Sequence, residues 1–445
     1  MAEMRPGALL VDGASAAATM AGGLRRGAGQ GDAAVVAADA EGAGEGEGVA
    51  VACLDGLILA VGPASDVHRQ IVAAGLSVES FARLEARGGL ITPGLVDAHT
   101  HLVFAGTREG EWQMRLRGAG YLEVLAAGGG ILSTVAATRA ATDEELLAGA
   151  RGRLAAMLAN GTTTAEAKSG YGLDAPNELR ILDVIGRLRD EGPVELVPTF
   201  LGAHAVPAEF RDRPDPAGDY ADSVVRDQLP LVAAQGIARF CDVFVESGVF
   251  GPGQARHILT AAARLGMRTR IHADELAPSG GAELAVELGC LSADHLAAPS
   301  DEGVAALARA AEGHAVVATL LPATSWFMGR HHFAPARRFI DTGIPVALAT
   351  DLNPGTSPTL SLPLVMSIAC LEMGLTPTEA LTAVTVNAAH SLGLAHSTGS
   401  LEPGKQADFV VWSVPSVDQI PYWLGAPPIR SVMKMGMIVY EASEL

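Results

Sequence analysis

Short apolar runs rich in β-branched residues alternate with Ala- and Leu-rich stretches of helical period between about residues 94 and 400. The apolar runs predict eight strands, near residues 95–99, 162–168, 195–201, 240–245, 268–272, 290–294, 315–321 and 345–350. The stretches between them predict helices near residues 143–160, 176–191, 222–235, 253–265, 280–288, 301–311, 333–342 and 376–391. Eight strand–helix pairs in roughly 300 residues are the content of a (β/α)8 TIM barrel, an α/β fold.

A doubly wound open sheet is the second interpretation of this alternation. That fold predicts a Gly-rich phosphate-binding turn directly after an early strand. The triplet Gly128–Gly130 follows a helix-like stretch instead, so we interpret it as a flexible loop. The barrel remains the preferred prediction.

Both ends of the chain are rich in strand-forming residues. An Asp55-Gly56 pair between the apolar runs 49–53 and 57–61 predicts a β-hairpin. The runs 407–412 and 429–440 predict further strands near the carboxyl terminus. We therefore expect a small β-sandwich domain built from residues 1–93 and 403–445 around a barrel at 94–402. Residues 1–50, with their Gly- and Ala-rich part, are predicted to form a mobile segment between short strands.

Composition limits the partners and the compartment of the protein. The net charge is −19 without any basic block, which argues against nucleic acid and anionic membranes as partners. The longest apolar runs fall short of the roughly 18 residues needed to span a bilayer. The four cysteines lie far apart without a CxxC motif, as in reduced proteins. We expect a soluble, cytoplasmic protein.

Polar residues follow the predicted strands at the end where a barrel places its active site. His99 and His101 close the first strand, and residues two apart on a strand point to the same side. Such a pair suits one metal ion, although two polar residues capping a strand would explain it equally well alone. Comparable groups follow six more strands: Glu166 and Lys168, His204, Glu246, His272 with Glu275, Asp294-His295, and Asp351 with Asn353.

Histidines at four of these strand ends favour a metal site over isolated rim residues. The remaining seven histidines fall in predicted helices or loops and receive no role, and His331-His332 is interpreted as a solvated loop. The seventh strand offers no titratable group and ends in LLPATS at 320–325.

The motifs in this order resemble the amidohydrolase superfamily. PGLVDAHTH at 93–101, His272 and Asp351 match its mononuclear metal site. More narrowly, the chain resembles the imidazolonepropionase family in FAGTREGEW at 104–112, AGGGI at 127–131, EAKSGYGL at 166–173, FLGAHAVP at 200–207, IHADE at 271–275 and ATDLNPGTSP at 349–358. The resemblance runs from about 90 to 440, and the Gly/Ala-rich first fifty residues depart from it.

The resemblance implies four metal ligands, His99, His101, His272 and Asp351. Three imidazoles and one carboxylate leave a coordination position for water, whose pKa the metal would lower. Asp351 is also implied as the general base. The cofactor is expected to be one divalent or trivalent metal ion, zinc or iron. Lys168 follows strand 2, where the superfamily has no bridging lysine, so a single metal is expected.

The implied substrate is 4-imidazolone-5-propanoate, an intermediate of histidine degradation, which hydrolysis of the ring amide would convert to N-formimidoyl-L-glutamate. His295 is expected to stabilise the oxyanion, and Glu275 to bind substrate and move a proton. Glu275 could instead cap the next helix. The other implied substrate contacts are Arg108 for the propionate tail, Tyr171, His204, Asn353, Gly355 and Thr356, with Tyr121 as a weaker candidate.

Two other functions fit parts of the pattern. An aminohydrolase (deaminase) acting on a small heterocycle shares the HxxE motif after strand 5, but Arg108 and Tyr171 fit an anionic tail better than a nucleobase. A non-catalytic, metal-stabilised binding protein would be expected to lack at least one of Glu275, His295 and Asp351. The partners expected are a small-molecule substrate and, from the family, a second copy in a homodimer.

Overall fold

The computed structural model describes residues 7–37, 48–120, 123 and 128–443. Eight parallel strand positions form the barrel, in the spatial order β8-β9-β10-β11-β13-β14-β15-β16, with β12 extending the fifth position beside β11. Their bounds are β8 Leu95–Asp97, β9 Thr162–Lys168, β10 Glu195–Ala203, β11 Phe240–Val245, β12 Arg268–Thr269, β13 Ile271–Ala273, β14 Ser292–His295, β15 Val317–Leu320 and β16 Val346–Leu348. The predicted barrel is confirmed.

The ring closes between its first and last strands at their carboxyl ends. The backbone N–H of His101 donates to the carbonyl of Leu352 at 2.9 Å, and that of Asp351 donates to the carbonyl of His99 at 3.0 Å. The closing contact therefore joins the two loops that carry three of the four predicted metal ligands, His99, His101 and Asp351.

The helices cover the outside of the barrel and the opening at the amino-terminal ends of its strands. Their bounds are α1 Ala64–Ala73, α2 Glu109–Leu116, α3 Ile131–Ala140, α4 Asp143–Ala159, α5 Ala175–Glu191, α6 Pro216–Ser223, α7 Leu229–Gln235, α8 Pro252–Arg264, α9 Gly281–Leu288, α10 Asp301–Ala310, α11 Pro322–Phe327, α12 Ala336–Asp341, α13 Leu362–Met373, α14 Pro377–Ala383, α15 Val386–Ser391 and α16 Gln419–Tyr422. Helix α15 packs against β8, β15 and β16 and fills the amino-terminal end of the barrel.

Two predicted helices are divided in the structure. The helix predicted at 222–235 is divided into α6 and α7 by a π-helical segment at Val224–Gln228. Pro230 lies in the first turn of α7. Proline cannot donate the backbone hydrogen bond that a regular helix needs at that point. The helix predicted at 376–391 divides into α14 and α15 at Val384 and Thr385.

Both chain ends build two sheets beside the barrel. The remaining strands are β1 Ala8–Ala14, β2 Ala16–Ala18, β3 Val35–Ala37, β4 Val49–Leu54, β5 Leu57–Pro63, β6 Ala82–Glu85, β7 Leu90–Pro93, β17 Phe409–Trp412, β18 Ile429–Lys434 and β19 Met437–Glu441. One sheet has the order β5-β4-β1-β6 and the other β19-β18-β17-β7-β2-β3. The predicted domain from both termini is confirmed, while its boundaries at 93 and 403 stay predictions.

The Asp55-Gly56 hairpin also forms as predicted. Both residues have positive φ, 50° and 84°, which a type I′ turn requires at its two central positions. The two flanking strands, β4 and β5, pair antiparallel.

Residues 14–37 are anchored, so the prediction of a mobile segment is wrong for this part. Gln30 is fully buried, its amide exchanges hydrogen bonds with the backbone of Val346 at 3.2 and 3.3 Å, and its carbonyl accepts from Thr382. The side chain of Asn387 bonds the backbone of Arg25 at 2.9 Å in both directions. This segment therefore fastens the terminal sheets to the amino end of the barrel. Residues 38–47 lie outside the described residues.

Within the part of the chain that the structure describes, no helix has the length and apolar character needed to cross a bilayer.

Candidate metal centre and substrate cavity

Five side chains from the ends of four barrel strands converge at the carboxyl end of the barrel. His99 and His101 follow β8, His272 lies in β13, His295 ends β14 and Asp351 follows β16. All five are at most 6% exposed. Two overlapping sets, His99/His101/His272 and His99/His295/Asp351, each have ligand atoms within 4.8 Å of one another.

The donor atoms suit a metal cation. The Nε2 atoms of His99 and His272 are buried and lack a hydrogen-bond partner. Oδ1 of Asp351 lies 3.6 Å from Nε2 of His99 and 3.5 Å from Nε2 of His101. Buried polar atoms normally have partners, so unpartnered imidazole nitrogens around one carboxylate indicate a cation site.

The protonation states favour metal binding. Burial, helped by the nearby Lys168 ammonium, holds the pKa of His99 well below its usual value, and burial also lowers the pKa of His101. Burial opposes ionisation of Asp351, but its hydrogen bond to His101 and the neighbouring histidines outweigh this and lower its pKa. Neutral imidazoles at His99 and His101 beside an ionised carboxylate suit a divalent cation. Burial opposes the charge of His272, but the Asp242 carboxylate outweighs burial and raises the pKa of His272, so a metal ion would compete with a proton there.

Two buried carboxylates orient the histidines from behind. Oδ2 of Asp294 lies 2.7 Å from Nδ1 of His99, and Oδ2 of Asp242 lies 2.9 Å from Nδ1 of His272. Such partners fix the ring orientation and direct the other nitrogen toward a metal. Sequence reasoning assigned no role to either aspartate.

Two buried cations hold these carboxylates. Nζ of Lys168 lies 2.7 Å from Asp242 and 2.8 Å from Glu166, and Arg270 lies 3.0 Å from Asp294. Burial opposes the charge of Lys168, yet Asp242 and Glu166 outweigh burial and raise the pKa of its ammonium. A lysine held as an ammonium between carboxylates is not free to bridge metals, in keeping with the predicted single-metal site.

Asp97 secures the closure of the barrel beneath the site. It accepts from the backbone N–H of Thr350 at 3.0 Å and from the Thr350 hydroxyl at 2.6 Å. Burial raises the pKa of Asp97 to about 7. The first and last barrel strands are thereby joined by a side chain within the PGLVDAHTH motif.

The backbone at the mouth of the barrel is strained. Asp351 has a φ of 51°, His295 of 74°, Asp274 of 52° and Leu173 of 54°. Non-glycine residues rarely adopt positive φ, and such residues cluster at functional sites. These four all lie at or just after barrel strand ends.

Arg108 lies in the cavity above the metal ligands and is held by a glutamate. Its Nε and Nη2 donate to the two carboxylate oxygens of Glu111 at 2.9 and 2.7 Å, and Glu111 also accepts from the N–H of Gly130. A guanidinium has five N–H donors, so its outer edge stays available for a second carboxylate. Sequence reasoning missed Glu111.

Gly355 makes room for that guanidinium. A Cβ atom at this position would overlap Nη1 of Arg108. Its carbonyl also accepts from Arg115 at 2.9 Å. The glycine is therefore needed for close approach, and its contribution to the site is through Arg108.

Tyr171 and His204 line the same cavity beside the metal ligands. The ring of His204 stacks on His101 with centroids 4.7 Å apart, and Nδ1 of His204 lies 3.0 Å from the carbonyl of Gly170. Burial raises the pKa of Tyr171, which keeps the phenol protonated. The turn carrying Tyr171 is held by Glu178, a residue missed from the sequence, whose carboxylate accepts three backbone N–H bonds.

Glu275 faces the cavity and does not cap the next helix. Its Oε2 lies 3.7 Å from Nδ1 of His295, and its Oε1 lies 3.6 Å from Arg330. The carboxylate that meets the start of α9 belongs to Asp274, which accepts from the N–H groups of Gly281 and Ala282. The helix-cap alternative for Glu275 is therefore wrong.

Asn353 shapes the loop after β16. Its Oδ1 accepts from the N–H groups of Gly355 and Thr356 at 2.9 and 2.8 Å, and its Nδ2 donates to the carbonyl of Asp351 at 2.7 Å. The amide is used within the loop, so direct contact of Asn353 with substrate stays a prediction. Thr356 lines the cavity.

The cavity has a volume of about 1400 Å³ and reaches from the metal ligands to Arg108 and Arg330. His331 and His332 are exposed, as predicted for a solvated loop. Tyr121 lies outside the described residues.

The family is shown by comparison with known proteins. Residues 90–439 match the amidohydrolase family. An imidazolonepropionase from Geobacillus kaustophilus is 51% identical over 86% of this chain and 88% of its own length. One from Symbiobacterium thermophilum is 45% identical over 99% of both chains, so the predicted departure of the first fifty residues does not hold for that relative.

Solved structures agree on the fold. A 5-methylcytosine deaminase from Klebsiella pneumoniae superposes with a TM-score of 0.70 over 98% of each chain, at 14% identity. A likeness at this identity concerns the fold alone. The family match shows that the chain is an amidohydrolase. Its histidine-rich site is suited to a divalent metal ion. Within that class, the chain belongs to the imidazolonepropionase family.

Proposed function

We propose that this protein hydrolyses 4-imidazolone-5-propanoate to N-formimidoyl-L-glutamate, a step of histidine degradation. The observation that carries the proposal is the pairing, in one cavity, of a His/Asp cation site with an arginine held at its outer wall, in a chain about half identical to curated imidazolonepropionases. In this arrangement the ring carbonyl would lie beside the residues of the cation site and the carboxylate tail beside Arg108.

His99, His101, His272 and Asp351 would hold one divalent metal ion, zinc or iron. A metal ion held by such ligands lowers the pKa of water and makes a nucleophile accessible near neutral pH. The buried carboxylates Asp242 and Asp294 keep two of the imidazoles turned toward the site.

Asp351 is positioned to act as the base. Its carboxylate is ionised and faces the histidines through Oδ1, so it can take the proton of the water that attacks the ring carbonyl carbon. Attack places negative charge on the carbonyl oxygen. His295, buried beside Asp351, is the side chain that can donate a hydrogen bond to that oxygen.

The reaction is completed when the bond between the carbonyl carbon and the adjacent ring nitrogen breaks. That nitrogen must receive a proton, and the proton that Asp351 took from water can be passed to it through Glu275, whose carboxylate lies 3.7 Å from His295. The carbonyl carbon becomes the new carboxylate of the product.

The substrate tail is recognised at the other end of the cavity. The outer edge of Arg108 can accept a carboxylate in two-point fashion while Glu111 holds its inner edge. Tyr171, a protonated phenol, and His204 complete the wall beside the ring.

The test is turnover of imidazolone propionate by the purified, metal-loaded protein, followed by loss of the ring's ultraviolet absorbance. Rapid loss that a chelator abolishes, with N-formimidoyl-glutamate as product, is expected. Absence of turnover with metal bound would contradict the proposal. Ammonia release from cytosine or a related heterocycle would then favour a deaminase, an alternative that the curated relatives do not support.

A further inference from the structure

We propose that Thr324 is a positioning residue that fixes the orientation of the Asp351 carboxylate. Its hydroxyl lies 2.6 Å from Oδ2 of Asp351, and both side chains are at most 3% exposed. This hydroxyl comes from helix α11, which directly follows β15, the barrel strand whose end carries no titratable side chain. The inference concerns the same site and in its kinetic part rests on the proposed function.

The direction of this hydrogen bond follows from its geometry. The Thr324 hydroxyl donates, and Oδ2 of the Asp351 carboxylate accepts. The separation of 2.6 Å is the length of a charge-assisted O–H···O⁻ bond, which is stronger than a bond between neutral groups.

The bond gives the two oxygens of Asp351 different surroundings. Oδ1 lies within 3.6 Å of both His99 and His101, whereas Oδ2 is held by Thr324 on the opposite side. Rotation of the carboxylate about its Cβ–Cγ bond would break the Thr324 bond. Thr324 therefore leaves a single oxygen of Asp351 facing the histidine cluster.

The support for Thr324 is itself rigid. Helix α11 starts at Pro322, and the hydroxyl lies within its first turn, where the N–H of Thr324 bonds the carbonyl of Leu321 at 3.2 Å. Asp351 is constrained at the same time by its positive φ of 51°. The backbone of Asp351 is thus fixed by its position in the fold, and its side chain is fixed by the bond to Thr324.

The test compares Thr324→Val, which removes the hydroxyl at nearly constant shape, with Thr324→Ser, which keeps it. We expect kcat of Thr324→Val to fall roughly 10- to 100-fold with KM within about twofold, as for removal of an outer partner of a metal ligand. Thr324→Ser should recover most of the loss. Thr398→Val is the matched control, since Thr398 is buried and its hydroxyl has no partner.

A second measurement does not require turnover. With cobalt(II) bound, the visible absorption of the protein reports the number and arrangement of ligands. We expect this spectrum to change in Thr324→Val and to match the parent protein in Thr324→Ser and Thr398→Val. If Thr324→Val keeps the parent spectrum and rate, or if Thr324→Ser is equally impaired, the proposal is wrong. If the parent protein itself lacks turnover, the proposed function fails while the spectra still test Thr324.

Discussion

The floor of the site and its outer wall are built in different ways. The floor is made of strand ends, and its histidines are backed by carboxylates that are themselves paired with buried cations, Lys168 and Arg270. The outer wall is made of loops, where Arg108 depends on one glutamate and on space left by one glycine. The floor is thus held by a network of charges and the wall by separate local contacts.

This difference predicts how far the effect of a single substitution should extend in each part of the site. In the floor, Lys168 and Arg270 each lie against at least two buried carboxylates, so removing one of these charges leaves others buried without a full set of partners. In the wall, a change moves one side chain and leaves the metal ligands in place. Loss of metal is expected from floor substitutions, and weaker substrate binding from wall substitutions.

The largest effect is expected for His272→Ala. Loss of an imidazole from the ligand set should abolish stoichiometric metal binding and lower turnover to background, because the cation would keep too few ligands. Metal content by atomic absorption, measured beside activity, checks this. His257→Ala is the control, since His257 is half exposed on α8. Full metal content in His272→Ala would remove it from the ligand set.

Asp242→Asn should weaken the floor without removing a ligand. The amide cannot hold His272 as the carboxylate does, and Lys168 loses one of its anions, so metal affinity should fall roughly 10- to 100-fold. Competition with a chelator measures this, with Asp227→Asn as a surface control. Unchanged affinity would show that Asp242 is unnecessary for orienting His272.

His295→Asn is expected to separate chemistry from metal binding. If His295 stabilises the oxyanion, kcat should fall by about 10²- to 10³-fold while metal content stays complete. Steady-state kinetics and metal analysis on the same preparation make the measurement. If the variant kept the parent kcat, His295 would have only a structural role.

The smallest effect, confined to the wall, is expected for Gly355→Ala. The added methyl group must displace the Arg108 guanidinium from its place against the loop, so KM should rise roughly tenfold, about 1.4 kcal/mol, with kcat little changed. Gly253→Ala is the control, because a Cβ there meets open space. Arg108→Met should raise KM at least as much. Loss of metal from Gly355→Ala would contradict the separation of wall and floor.

The barrel and the ligand candidates could be predicted from the sequence because each depends on local pattern. Apolar strands ending in polar residues are visible along the chain, and the HxH at 99–101 shows its geometry in two residues. The short strand β2, which consists of three alanines, gives no such pattern and forms by pairing with β3 and β7.

The supporting residues were missed for the same reason. Asp242 lies inside the apolar run FCDVFV and Arg270 two residues before His272, and a charge within a barrel strand is a signal that could have found both. Their partners, however, lie on other strands. Thr324 and Glu111 are ordinary residues in sequence, and only the fold brings them to Asp351 and Arg108.

The pairing of β7 with β17 has a consequence for how the chain matures during synthesis. β7 runs directly into the strand bearing His99, yet its partner Phe409–Trp412 lies roughly 300 residues later. Contacts so distant in sequence form late, after all the residues between the two strands have been synthesised. A nascent chain that ended before β17 would leave this strand edge open to pairing with other chains, a recognised route to aggregation. The sheet that contains β7 should therefore be completed only after Phe409–Trp412 has been synthesised.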